Sequence, residues 1–206
     1  MAGKSSLGYL APAIVTGWLV CLAQLGYGVL GRRLGANPIA TALNQLGLLA
    51  LILLVASLSC TPLKIALGWT WQMRARRTLG LLSFFTALLH FLLYLGADQG
   101  FDVLAVLSDV AKRPFIAVGF LALVLLVPLA WTSSKEAVRR LTFPVWQRLH
   151  RLVYPIAALA LLHFYLRVKA DHTQPLVYAA IVLAGFALRV AAWRVKSRPR
   201  RARPAD

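Results

Sequence analysis

The chain has 206 residues, 60% of them hydrophobic, and a formal net charge of +17, with a mean hydropathy of +0.71. A soluble domain of this length has too small an interior for so much apolar surface, so an integral membrane protein is indicated. The basic balance raises nucleic acid as a partner, but the cations sit beside apolar segments, as topology determinants in contact with anionic lipid do, and no nucleic-acid binding is expected.

Six stretches approach the roughly 20 apolar residues that cross a hydrocarbon core: 9–30, 43–60, 78–97, 114–131, 149–168 and 175–193. They lack the dyad alternation of membrane strands, so the expected fold class is an all-α integral membrane bundle of six transmembrane helices in a single domain. The first run is longer than a signal-peptide core and is not followed by a cleavage pattern, so it is read as a span. Gly35 and Pro38 punctuate the loop to the second span. Between the third and fourth spans, Phe101, Leu104 and Leu107 have the spacing of a short helix lying on the membrane surface, ending at Pro114, a favourable first helical residue. Trp69, Trp71, Trp131, Trp146 and Trp193 fall near span ends, where interfacial anchors belong. Cys21 and Cys60 lie within spans far apart in sequence and are read as small core residues, with no disulfide or zinc site.

Lys and Arg concentrate on one side of the bundle: Lys4, then Lys64, Arg74, Arg76 and Arg77, then Lys135, Arg139, Arg140, Arg148 and Arg151, and last the basic tail 194–206. The other side carries Arg32, Arg33, Lys112, Arg113, Arg167 and Lys169, offset by Asp98, Asp102, Asp109 and Asp171. The positive-inside rule therefore places both termini in the cytoplasm. So little chain lies outside the spans that any nicotinamide-oxidising or substrate-converting unit is expected on a separate protein.

Ionisable residues within spans are costly and mark functional sites by default. With this orientation, His90 lies about 12 residues and His163 about 14 residues into helices that both run outward, so the two imidazoles share a depth in the outer half of the bilayer. Two neutral imidazoles on facing helices can hold an iron from opposite faces of a porphyrin, and without a CxxCH motif the haem would be of the non-covalent b type. His150 lies about 20 Å from His163 along an ideal helix, near the cytoplasmic face, and Pro155 between them can kink the helix. The positions 13 and 14 residues before His90 are Arg77 and Arg76 rather than histidines. Those arginines either pair with propionates or a flavin phosphate, or serve only as positive-inside residues. The competing account of the histidines is that they tie helices together by hydrogen bonds. His172, in KADHTQP, is read as solvated.

The segments LGANP, TPL, RRTLGL with ALLHF, KRPFIAVGF, LAWTSSK, WQRLHRLVY, LLHFYLRVKAD and QPLVYAA occur in order along the chain. In these the sequence resembles the MsrQ (YedZ) family of the ferric-reductase-like transmembrane superfamily, bacterial inner-membrane haem-binding subunits of the periplasmic methionine sulfoxide reductase system. The resemblance implies haem b, one or two, with His90, His150 and His163 as ligands, and flavin mononucleotide as a further cofactor. It also implies electrons entering from a cytoplasmic flavin reductase or from membrane quinol. They would leave to a periplasmic MsrP-like molybdopterin enzyme that repairs oxidised proteins. The family commonly has a His three residues before the glycine of the second span, where this chain has Asn44 before Gly47. Two other readings stay open: a ferric or quinone reductase cytochrome with another acceptor, and a haem-free transporter or assembly factor.

Overall fold

The computed structural model describes residues 8–31 and 33–197. Lys4, Arg32 and residues 198–206 of the expected tail lie outside them. Among the described residues every regular element is helical: α1 (Leu10–Leu30), α2 (Pro38–Leu67), a 3-10 turn (Trp71–Arg74), α3 (Arg76–Leu93) continued by a π-turn (Tyr94–Asp98), α4 (Val103–Lys112), α5 (Pro114–Trp131), α6 (Lys135–Leu141), α7 (Phe143–His150), α8 (Val153–Arg167) and α9 (Thr173–Ser197). Six segments of the described residues are long and apolar enough to cross a membrane, with α7 and α8 together forming the fifth.

α2 is the centre of the bundle, packed along α3 and α9, while α5 pairs with α8. It begins as its sequence dictates: the Asn37 side chain accepts from the Ala40 amide, and Pro38 occupies the first turn, where its missing N–H costs nothing. It ends at Gly68, whose φ of 71° is the left-handed cap that glycine accepts without strain. The 30-residue helix runs well past the expected 43–60, straight through Pro62. Proline at that place strips the Leu58 carbonyl of its normal donor four residues on. A guanidinium replaces it: Arg189 of α9 donates to the Leu58 carbonyl and to the Tyr154 hydroxyl. Gly185 makes the approach feasible, since a Cβ there would lie 3.0 Å from Pro62 Cγ.

The fifth span is broken just before Pro155, at Arg151 and Leu152. Lacking an N–H, Pro155 cannot bond the Arg151 carbonyl, which instead accepts from Tyr154 at 3.1 Å, and Arg151 and Leu152 bond three residues back. The chain therefore turns at Arg151 and Leu152, and Pro155 falls in the first turn of α8, where proline is tolerated. The kink expected at Pro155 is thus a helix boundary just before it.

The surface helix expected from Phe101, Leu104 and Leu107 is α4, capped by the Asp102 carboxylate, which accepts from the Leu104 and Ala105 amides. Two short elements, α6 and α7, occupy what read as a loop; Ser134 caps α6, and Thr142, at φ 62° and ψ 150°, makes the corner between them. The expected tail begins inside α9, which continues to Ser197. Cys60 is buried as expected, but Cys21 is exposed on α1, a helix that meets the bundle along one narrow face, where the Trp18 indole donates to the buried Thr86 hydroxyl at 2.8 Å.

Candidate functional site

His90 of α3 and His163 of α8, chosen from sequence by depth, come together with ring centroids 6.2 Å apart and planes at 83°. Each is held in the same way. His90 Nδ1 donates to the Leu43 carbonyl at 2.9 Å, and His163 Nδ1 donates to the Phe115 carbonyl at 2.6 Å. Carbonyls only accept, so Nδ1 carries the proton in both rings and the neutral tautomer leaves each Nε2 with its lone pair free. This is the arrangement that orients a metal-binding histidine.

The residue four positions after each accepting carbonyl is a glycine. A Cβ on Gly47 would lie 3.3 Å from His90 Cε1, and one on Gly119 would lie 2.5 Å from His163 Nδ1. The glycines let an imidazole lie against the helix it bonds, and at Gly119 no side chain fits at all. Both rings border a cavity of about 400 Å³, walled mainly by apolar side chains of α2, α3, α5 and α8, with Asn44, Asp98, Arg113 and Arg167 among its polar contributors. A haem held between two imidazoles sets the separation of the rings. Two imidazoles bound on opposite sides of one ion, each at about 2.0 Å through nitrogen, have centroids about 6 Å apart. The observed separation, two unprotonated nitrogens and an apolar cavity match that requirement. Among the described residues, no group of three or more His, Cys, Asp or Glu converges as a conventional metal cage would.

His150, at the end of α7, is not brought to either of them. Its Nε2 lies 3.0 Å from Thr132 Oγ1. The Thr132 hydroxyl already donates to the Pro128 carbonyl at 2.6 Å, so it accepts from His150, which carries its proton on Nε2 and leaves Nδ1 bare. Trp146, expected as an interfacial anchor, stacks on this imidazole at 4.1 Å and donates its indole N–H to the Thr132 carbonyl. Among the described residues, no second histidine pairs with it.

The two candidate arginines part company. Arg76 is half-buried, reaches Thr61 Oγ1 at 3.4 Å and lies within electrostatic range of His150, Tyr154 and Arg189. Arg77 is exposed. Arg189 shares the Arg76 neighbourhood; an arginine within the sixth apolar run, before the basic tail, was the sequence signal for it. His172 packs its ring 4.5 Å from Tyr165, outside the cavity.

The family model described as ferric reductase like transmembrane component matches residues 41–161. Three similar proteins carry the name protein-methionine-sulfoxide reductase heme-binding subunit MsrQ. That of Deinococcus radiodurans is 49% identical over 96% of this chain and 95% of its own length. That of Rhodospirillum rubrum is 47% identical over 86% of both chains, and that of Herminiimonas arsenicoxydans is 45% identical over 87% of this chain and 84% of its own. No solved structure matches the chain.

Proposed function

The chain belongs to the ferric reductase like transmembrane family and, within it, to the MsrQ proteins, and on that premise we propose that it is a haem b electron-transfer subunit of the inner membrane. In this reading it carries electrons from a cytoplasmic flavin reductase or the quinol pool to a periplasmic MsrP-like molybdopterin reductase of methionine sulfoxide, with both termini cytoplasmic. The observation that carries the reading is the His90–His163 pair: two rings 6.2 Å apart with both Nδ1 atoms tied to backbone.

Bound haem supplies one-electron chemistry at the iron. The chain supplies the rest. His90 and His163 would hold the haem through Nε2, the carbonyls of Leu43 and Phe115 fix their orientation, and the apolar walls would limit access of water. The other end, with His150, Arg76 and the nearby Arg189, is proposed as the second station. There the guanidinium groups suit a propionate or the phosphate of flavin mononucleotide, and Arg77, at the surface, contributes to positive-inside topology instead. Ligation through His150 Nε2 requires the ring to leave Thr132.

The reading is tested on purified protein by a pyridine haemochrome assay with haem-to-protein stoichiometry, on the wild type and on H90A, H163A and H150A. Loss of the low-spin bis-histidine spectrum in H90A and in H163A is expected, with H150A keeping at least that of the outer pair. A colourless wild type, or unchanged spectra in H90A and H163A, would overturn it. Reoxidation of the reduced protein by an MsrP-like reductase with methionine sulfoxide, and not by the oxidised substrate alone, tests the acceptor.

A further inference from the structure

Arg167 is the last residue of α8, four positions after His163, and residues so spaced share a helix face. His163 borders the cavity, and so does Arg167. Its side chain is half-buried and close enough to His163 and His90 to act on both electrostatically. Among the described residues it has no hydrogen-bond or ion-pair partner. Of the other charged groups of the cavity, Arg113 pairs with Asp109 at 3.3 Å, and the Asp98 carboxylate, which accepts from Gln99 at 3.3 Å, forms no ion pair with Arg167 among the described residues. A guanidinium drawn into an apolar cavity without a counter-charge is costly unless an anion joins it there.

We propose that Arg167 is the anchor for a haem propionate at the His90–His163 site. The inference rests on the haem reading above and adds a residue to it. A planar macrocycle held by two axial nitrogens is still free to rotate about the axis they define. A carboxylate at its edge, clamped by the two-pronged donor face of Arg167, removes that freedom and neutralises the cation. Because Arg167 sits one helical turn beyond an axial ligand on the same helix, the axial bond and the edge contact are positioned by one rigid element.

The test uses the full-length chain carrying His150→Ala, so that only the outer pair is counted, in lipid nanodiscs loaded with haem b or with its propionate dimethyl ester. Transfer of haem to excess apomyoglobin is followed from the Soret band. R167Q is expected to lose haem b about tenfold faster than the parent, and R167K within about threefold of it. The dimethyl ester should leave the parent and R167Q at equal rates. Parent-like retention of haem b by R167Q overturns the proposal, as does equal acceleration for both haem forms, the result expected if Arg167 only packs the helix end or holds a lipid phosphate. A parent protein that takes up no haem overturns the haem reading itself, which separates the two failures.

Discussion

The two histidine-bearing ends of the bundle use the same side chain in opposite ways. At the His90–His163 end, backbone carbonyls accept hydrogen bonds from Nδ1–H and both Nε2 atoms stay free beside an apolar cavity. At the His150 end a hydroxyl accepts a hydrogen bond from Nε2–H and an indole covers the ring. The first end leaves two Nε2 atoms without a hydrogen-bond partner, and the second engages Nε2 of its ring with a hydroxyl. What decides the difference is the partner atom offered to each ring, more than the histidine's depth in the membrane.

The sharpest way to break this contrast is to displace one of the rings. G119A places a methyl group 2.5 Å from His163 Nδ1, so the ring and α5 must separate; we expect loss of the outer bis-histidine spectrum with the fold retained by circular dichroism. G47A, with 3.3 Å to His90 Cε1, is expected to keep it with a small spectral shift, and equal behaviour of the two variants would remove the role assigned to Gly119.

At the other end, R189Q leaves the Leu58 carbonyl without its guanidinium and should cost about 1–3 kcal/mol in thermal unfolding. Adding P62A supplies the missing amide and should recover most of that loss, whereas additive effects in the double variant would show that the carbonyl is not the reason for the arginine. W146A, which removes a stacked ring and an indole donor, should cost about 1 kcal/mol and speed modification of His150 by diethylpyrocarbonate, leaving His90 and His163 unaffected.

The smallest effect concerns α6, outside the membrane-spanning segments. Hydrogen bonds from Arg139 and Arg140 hold the Glu136 carboxyl below its ordinary value. A lowered folded-state value means a contribution present above the ordinary carboxylate range and lost as pH falls through the lowered one. E136Q should therefore alter the hydrogen-exchange protection of α6 at neutral pH and not in strong acid, with no change in either histidine site.

The spans were legible in hydropathy, and the matched depth of His90 and His163 followed from charge asymmetry and helical rise alone. The full length of α2 was not, because Pro62 reads as a terminator until a guanidinium from a helix more than a hundred residues later fills the gap it leaves. Gly119 could not be singled out either. Its importance comes from which way α5 is rotated toward α8, and an almost uniformly apolar helix carries no periodic signal for rotation. The same indifference concealed Arg167, counted with the outer loop while its side chain borders the cavity. α6 and α7 were missed because they are short and amphipathic beside much stronger apolar runs.

The turn at Arg151 and Leu152 separates these ends mechanically as well as chemically. A continuous helix would act as a stiff lever, passing any tilt of the surface segment carrying His150 on to His163. With three-residue hydrogen bonds at the joint, α7 packs with α6 while α8 packs along α5. His150 and His163 are therefore carried on two separately oriented helices of one span.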